Sequence, residues 1–125
     1  MKKYDIYDKV FKCQYRLYIN CTYKQFVKAV TPYVHDSAVF DDDEDNPALC
    51  IDTPDGGIIM MVQEFDYDNP VSIASLVHEC VHATQRRLYE MCGVPVQDLE
   101  TPAYYVGYLV NEFLTKIKAD MSRSK

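Results

Sequence analysis

A chain of 125 residues that is 48% hydrophobic and 26% charged suits one globular domain able to bury about two thirds of its unfolded surface. That balance excludes a disordered chain, and no apolar run approaches the ~20 residues needed to cross a bilayer. The formal charge of −6, with no continuous stripe of Lys or Arg, argues against nucleic-acid binding by phosphate neutralisation.

Met1 to Asp5 lacks the apolar stretch of a signal peptide, so the expected setting is cytoplasmic. The five cysteines, Cys13, Cys21, Cys50, Cys80 and Cys92, contain no C-x-x-C. They read as small buried thiols rather than a zinc ribbon or a redox pair. Eleven tyrosines and no tryptophan are unusual, but composition alone assigns them no task.

Residues 4 to 19 mix strand-formers with polar residues, and Tyr15 to Ile19 alternate as a half-buried strand does. Thr22 is placed to cap a helix over Tyr23–Val30, with Phe26, Val27 and Val30 on one face. Thr31-Pro32 should end it. His35 follows without local support for a ligand role, and Ala38-Val39-Phe40 suggests a short strand. Asp41 to Asp45 are five consecutive carboxylates, which read as a solvated loop. They lack the spaced ligands and central glycine of an EF-hand.

Ala48 to Asp52 and Ile58 to Val62 flank Thr53-Pro54-Asp55-Gly56-Gly57, a turn sequence, and together predict a β-hairpin. The second strand is apolar almost throughout, implying burial on both faces. Gln63 to Asp68 then reads as a loop.

Asn69-Pro70 opens the next helix, with Asn69 as cap and proline at the first helical position. Gly93 and Pro95 close it, predicting a helix over about 70–91. Val77, Val81, Leu88 and Met91 are expected to face the core, with His78, His82, Gln85 and Tyr89 on a neighbouring stripe. A last helix is predicted from near Asp98 to about Lys118. Its expected core stripe is Ala103, Val106, Val110, Phe113 or Leu114, and Ile117. Gly107 suggests a close approach to the preceding helix, since an interior glycine costs about 1 kcal/mol against alanine.

The chemistry concentrates in His78-Glu79-Cys80-Val81-His82, an H-E-x-x-H sequence. Residues four apart on a helix share a face, so both imidazoles would aim at one point, as two ligands of a tetrahedral zinc must. Glu79, about 100° further round the axis, could reach a metal-bound water without being a ligand. The uncharged neighbours Leu76, Val77, Cys80, Val81 and Ala83 suggest that this face is buried. The plainer reading is a solvated helix face with no metal. A catalytic zinc needs a third protein ligand. Glu100 is favoured over Asp98, because Glu100 shares a face with Tyr104 and Tyr108 whereas Asp98 reads as an N-cap.

Glu100 followed by Ala103-Tyr104, Gly107-Tyr108 and Leu109 completes a pair of motifs. H-E-x-x-H with a glutamate on the next helix resembles the gluzincin branch of zinc metallopeptidases, and more closely small phage- and bacterium-encoded zincin-like proteins. The likeness covers residues 76 to 114 and, more loosely, the preceding hairpin. It implies an α+β fold with a minimal zincin-like core, a small, mostly antiparallel sheet packed on about three helices, and H-E-x-x-H on the central helix. It further implies zinc on His78, His82 and Glu100, with Glu79 as general base. Pro102 in the first turn of the last helix departs from a comfortable pattern, and 125 residues leave little protein for a substrate cleft.

The expected activity is hydrolysis of a peptide bond in a protein or peptide substrate. Glu79 takes the proton of the attacking water, and Tyr104 or Tyr108 donates to the developing oxyanion or merely packs. One strand of the hairpin could pair with an extended substrate. The competing reading is a catalytically silent zincin-shaped binding protein, with a structural metal or none, using its acidic surface on a partner. Neither reading involves nucleic acid or a membrane.

Overall fold

The computed structural model describes residues 1–34 and 47–123. His35, the strand suggested at 38–40 and the acidic run 41–45 lie outside the described residues. The fold is α+β, with four strands and three helices among the described residues. Strands β1 (Lys2–Asp8) and β2 (Cys13–Ile19) are followed by α1 (Tyr23–Val30) and a 3₁₀ turn, Thr31–Tyr33. Then come β3 (Ala48–Asp52), β4 (Ile58–Val62), α2 (Pro70–Thr84), a π-helical continuation over Gln85–Met91, and α3 (Glu100–Arg123).

The sheet order is β1-β2-β4-β3. β1 and β2 pair antiparallel, with Ile6 opposite Tyr15, and β3 and β4 pair antiparallel, with Cys50 opposite Met60. Between them β2 and β4 run parallel, Leu17 opposite Met60. The sheet is therefore mixed, antiparallel at both margins and parallel in the middle. β1 was not foreseen as a separate strand, because its alternation is weak and its exposed positions are polar. Among the described residues β3 is an edge strand.

Period-two alternation divides the core. Tyr15, Leu17 and Ile19 of β2, with Ile58, Met60 and Val62 of β4, meet Leu76, Cys80 and Leu88 and the α3 residues Leu109, Phe113 and Ile117. Tyr18, Ile59 and Met61 point the other way, onto Phe26 and Val30 of α1. A sheet covered on both faces has buried interior strands, and every residue of β4 is buried. No described helix is long and apolar enough to cross a membrane.

Local chemistry fixes the boundaries. Thr22 and Gln25 form a reciprocal capping box: the Gln25 amide donates to Thr22 Oγ1 at 3.1 Å, and the Thr22 amide to Gln25 Oε1 at 2.9 Å. Asn69 Oδ1 accepts from the Val71 amide at 3.0 Å ahead of Pro70. Gly56 turns the β3–β4 hairpin at a φ of +89°, a conformation open to glycine. The helix carrying the histidines ends at Gly93, at a φ of +70°.

Several expectations about packing are corrected. The buried side of α2 is Leu76, Glu79, Cys80, Ala83 and Thr84, not Val77 and Val81, which are half-buried; of the named positions only Leu88 is in the core, and Met91 is exposed. On α3 the core positions are Tyr105, Leu109, Phe113 and Ile117. Val106, Val110 and Leu114 flank them, and Ala103 is exposed. Phe113 and Ile117 take their expected places; the first half of the stripe instead follows Tyr105 and Leu109, because a tyrosine with buried polar partners does not read as a core position. A Cβ on Gly107 would meet nothing within 4 Å, so no close approach accounts for that glycine.

Candidate metal centre

α2 is held against the sheet by the buried side just described, and this sends positions 78 and 82 outward. Both histidines are exposed, contrary to the buried face expected from their uncharged neighbours. His78 Nε2 and His82 Nε2 stand 3.1 Å apart, the rings at 76° with centroids 4.7 Å apart.

That spacing tests the fit to zinc. At a Zn–N length of about 2.0–2.1 Å, two nitrogens at the tetrahedral angle lie about 3.3 Å from each other. A separation of 3.1 Å corresponds to an N–Zn–N angle of roughly 100°, so the pair matches a two-ligand bite with little adjustment. The same distance also suits a direct N–H···N hydrogen bond between neutral rings of suitable tautomers.

Glu79, between the histidines in sequence, turns inward and is 4% exposed. Burial raises its pKa, while the neighbouring His78 and Arg86 charges pull it down again. Arg86 was not anticipated as part of this region. It falls four residues past His82, and its Nη1 lies 3.5 Å from Asp52 Oδ1 at the end of β3. That i+4 spacing is the signal that could have found it.

Cys80 faces the core, not the histidines. It and Cys50 on β3 are both buried, and burial, with a smaller contribution from the Glu79 charge, pushes each thiol to about 12. They are therefore protonated, unreactive neighbours of the glutamate.

The α3 residues sit differently. Glu100 is exposed in the first turn, and among the described residues no three His, Cys, Asp or Glu side chains gather into a group that could hold a metal. Asp98 has the capping role: Oδ1 accepts from the Thr101 amide at 3.0 Å and Oδ2 from the Thr101 hydroxyl at 2.6 Å. Tyr104 is 77% exposed and Tyr108 36% exposed. The Tyr108 ring lies 5.8 Å from that of Tyr105.

The buried tyrosine of α3 is Tyr105. Its hydroxyl donates to Asp8 Oδ2 at 2.6 Å and lies 2.6 Å from the Tyr15 hydroxyl. This network is separate from the His78–His82 pair. Comparison of the chain with family models, curated proteins and solved structures gives no match.

Proposed function

We propose that this chain is a zinc-dependent hydrolase, a metallopeptidase of the small zincin-like kind that its two motifs resemble. One observation supports the reading above the others: two exposed imidazoles held 3.1 Å apart with a buried carboxylate of raised pKa next to them on the same helix. Zinc, when bound, would polarise a scissile carbonyl and lower the pKa of a water.

The chain's own residues would supply the rest. His78 and His82 would hold the ion, and Glu100 would be the third protein ligand. Glu79, which packs inward in this structure, would have to turn out toward the histidines to accept the proton of the attacking water; its burial raises its pKa, the direction that makes a carboxylate a better base. Tyr104 or Tyr108 would donate to the developing oxyanion. β3, an edge strand packed under α2, offers main-chain groups with which an extended peptide could pair. A cytoplasmic setting suits the free, buried thiols Cys13, Cys21, Cys50 and Cys80.

The second reading, a catalytically silent binding protein, draws on one specific observation: Glu100 is not gathered with the histidine pair into a metal-holding group. Metal analysis and a peptide-library assay separate the two. The hydrolase reading requires about one zinc per active chain, lost in His78→Ala, and cleavage that Glu79→Gln abolishes while leaving the zinc in place. Zinc uptake without cleavage of any peptide would leave the binding protein.

A further inference from the structure

The outward side of α2 carries no formal charge. From Pro70 to Gln85 the one charged side chain is Glu79, and it is buried. Val71, Ala74, His78, His82 and Gln85 are exposed at spacings of three and four, which makes a single stripe along the helix. In a chain with 26% charged residues, a neutral stripe of this length is where two acidic copies can meet without opposing like charges. Ala74 contributes little bulk, so a second helix can come near.

The stripe also carries half of a coordination shell. Zinc takes four ligands in a tetrahedron, and His78 and His82 present two at nearly the right separation. A two-fold axis brings a surface patch onto itself. Crossing α2 over its own copy at the histidines would surround one ion with four imidazole nitrogens.

We propose that a zinc ion bridges two copies of this chain, each contributing His78 and His82, with the neutral stripe of α2 packed on itself around the metal. The inference rests on the ligand roles given to these histidines above and adds a second state to the same centre. Four imidazoles leave no position for water, so the bridged pair is the closed form. The separated chain is the form in which Glu79 can act. A divalent ion between the copies also offsets part of the repulsion between two chains of −6 each.

Sedimentation velocity combined with metal analysis, on the full chain in zinc chloride and in EDTA, tests this. The expected result is a dimer with one zinc per two chains, dissociating in EDTA and absent in His82→Ala. Ala74→Glu puts a carboxylate on the stripe without touching a ligand. It is expected to weaken the dimer at least tenfold with an unchanged circular dichroism spectrum, and unchanged dimerisation would overturn the packing of the stripe. A monomer holding one zinc per chain overturns the bridge and leaves the hydrolase reading standing, whereas a chain that takes up no zinc overturns both. A dimer that survives EDTA and His82→Ala removes the metal from the interface. Bridged dimers with no peptide cleavage at any dilution support the bridge and count against the hydrolase.

Discussion

Tyr105 and Asp8, 97 positions apart in the chain, share a 2.6 Å hydrogen bond in the interior, and it fastens α3 to the end of β1. The Asp8 carboxylate also accepts from the Val10 amide at 2.9 Å and the Phe11 amide at 3.3 Å. One buried acid thus shapes the β1–β2 turn and anchors a helix. Burial, chiefly, raises the Tyr105 pKa, and the hydrogen bond to Asp8 raises it further.

Tyr105→Phe removes the donor from Asp8 and the partner of the Tyr15 hydroxyl together. The expected loss is about 1–3 kcal/mol in urea unfolding, the usual cost of orphaned buried polar groups. Tyr104→Phe, at a position 77% exposed, is expected to stay within about 0.5 kcal/mol of the parent. Equal effects at the two tyrosines would show that the network does not carry this stability.

Arg87 belongs to the π-helical segment after the histidines, and reaches two turns at once. Its guanidinium donates to the carbonyls of Phe11 and Lys12 in the β1–β2 turn and to that of Gly56 in the β3–β4 turn, the last at 3.4 Å. Its Nε is buried without a hydrogen bond among the described residues. Arg87→Ala is expected to cost about 2–3 kcal/mol by the same measurement, since bonds from a charged donor exceed neutral ones. Arg87→Lys is expected to recover little of it, because a compact ammonium cannot span carbonyls in two turns.

Asp98 sets a pH dependence. The Thr101 hydroxyl and then the Thr101 amide hold its carboxyl below the ordinary carboxylate value. A carboxylate with a depressed folded pKa contributes its stability above the unfolded value of about 3.9, and that contribution is lost as pH falls through the folded value. Asp98→Ala is therefore expected to lower Tm at pH 7 and to make progressively less difference below about pH 4. A mutant deficit that stays constant from pH 7 to 2.5 would contradict this role.

Much of the architecture was legible in the chain because local chemistry wrote it. The Thr22 cap, the Asn69-Pro70 start and the Thr53 to Gly57 turn each stand where expected. The histidine spacing gave the pair its meeting point. Other features were hidden because they arise from long-range packing. Glu79 turns inward because α2 buries Leu76, Cys80 and Ala83 against the sheet; in the sequence that stripe competes with Val77 and Val81, and only contact with the sheet decides between them. Tyr105 was overlooked because its partners, Asp8 and Tyr15, come from strands about 90 residues earlier, beyond the reach of any helical periodicity.

Metal uptake should be visible as stability. A ligand that binds the folded chain alone stabilises it by about 2.7 kcal/mol at a hundredfold excess over Kd. For a domain of this size that is on the order of a 10 °C rise in Tm. Zinc added to the metal-free chain is expected to produce such a rise, reversed by EDTA and missing in both His78→Ala and His82→Ala. An equal rise in those variants would place the ion elsewhere.

The parallel pairing of Tyr15–Ile19 with Ile58–Val62 has a consequence for biosynthesis. β2 leaves the ribosome roughly forty residues ahead of the strand that must seal its flank, an interval of a few seconds at ordinary elongation rates. Until then the nascent hairpin of β1 and β2 presents an open backbone edge and greasy sides, the condition that invites aberrant association. Slowed translation between codons 20 and 58 should lengthen that exposure and raise the share of chain recovered as inclusion bodies.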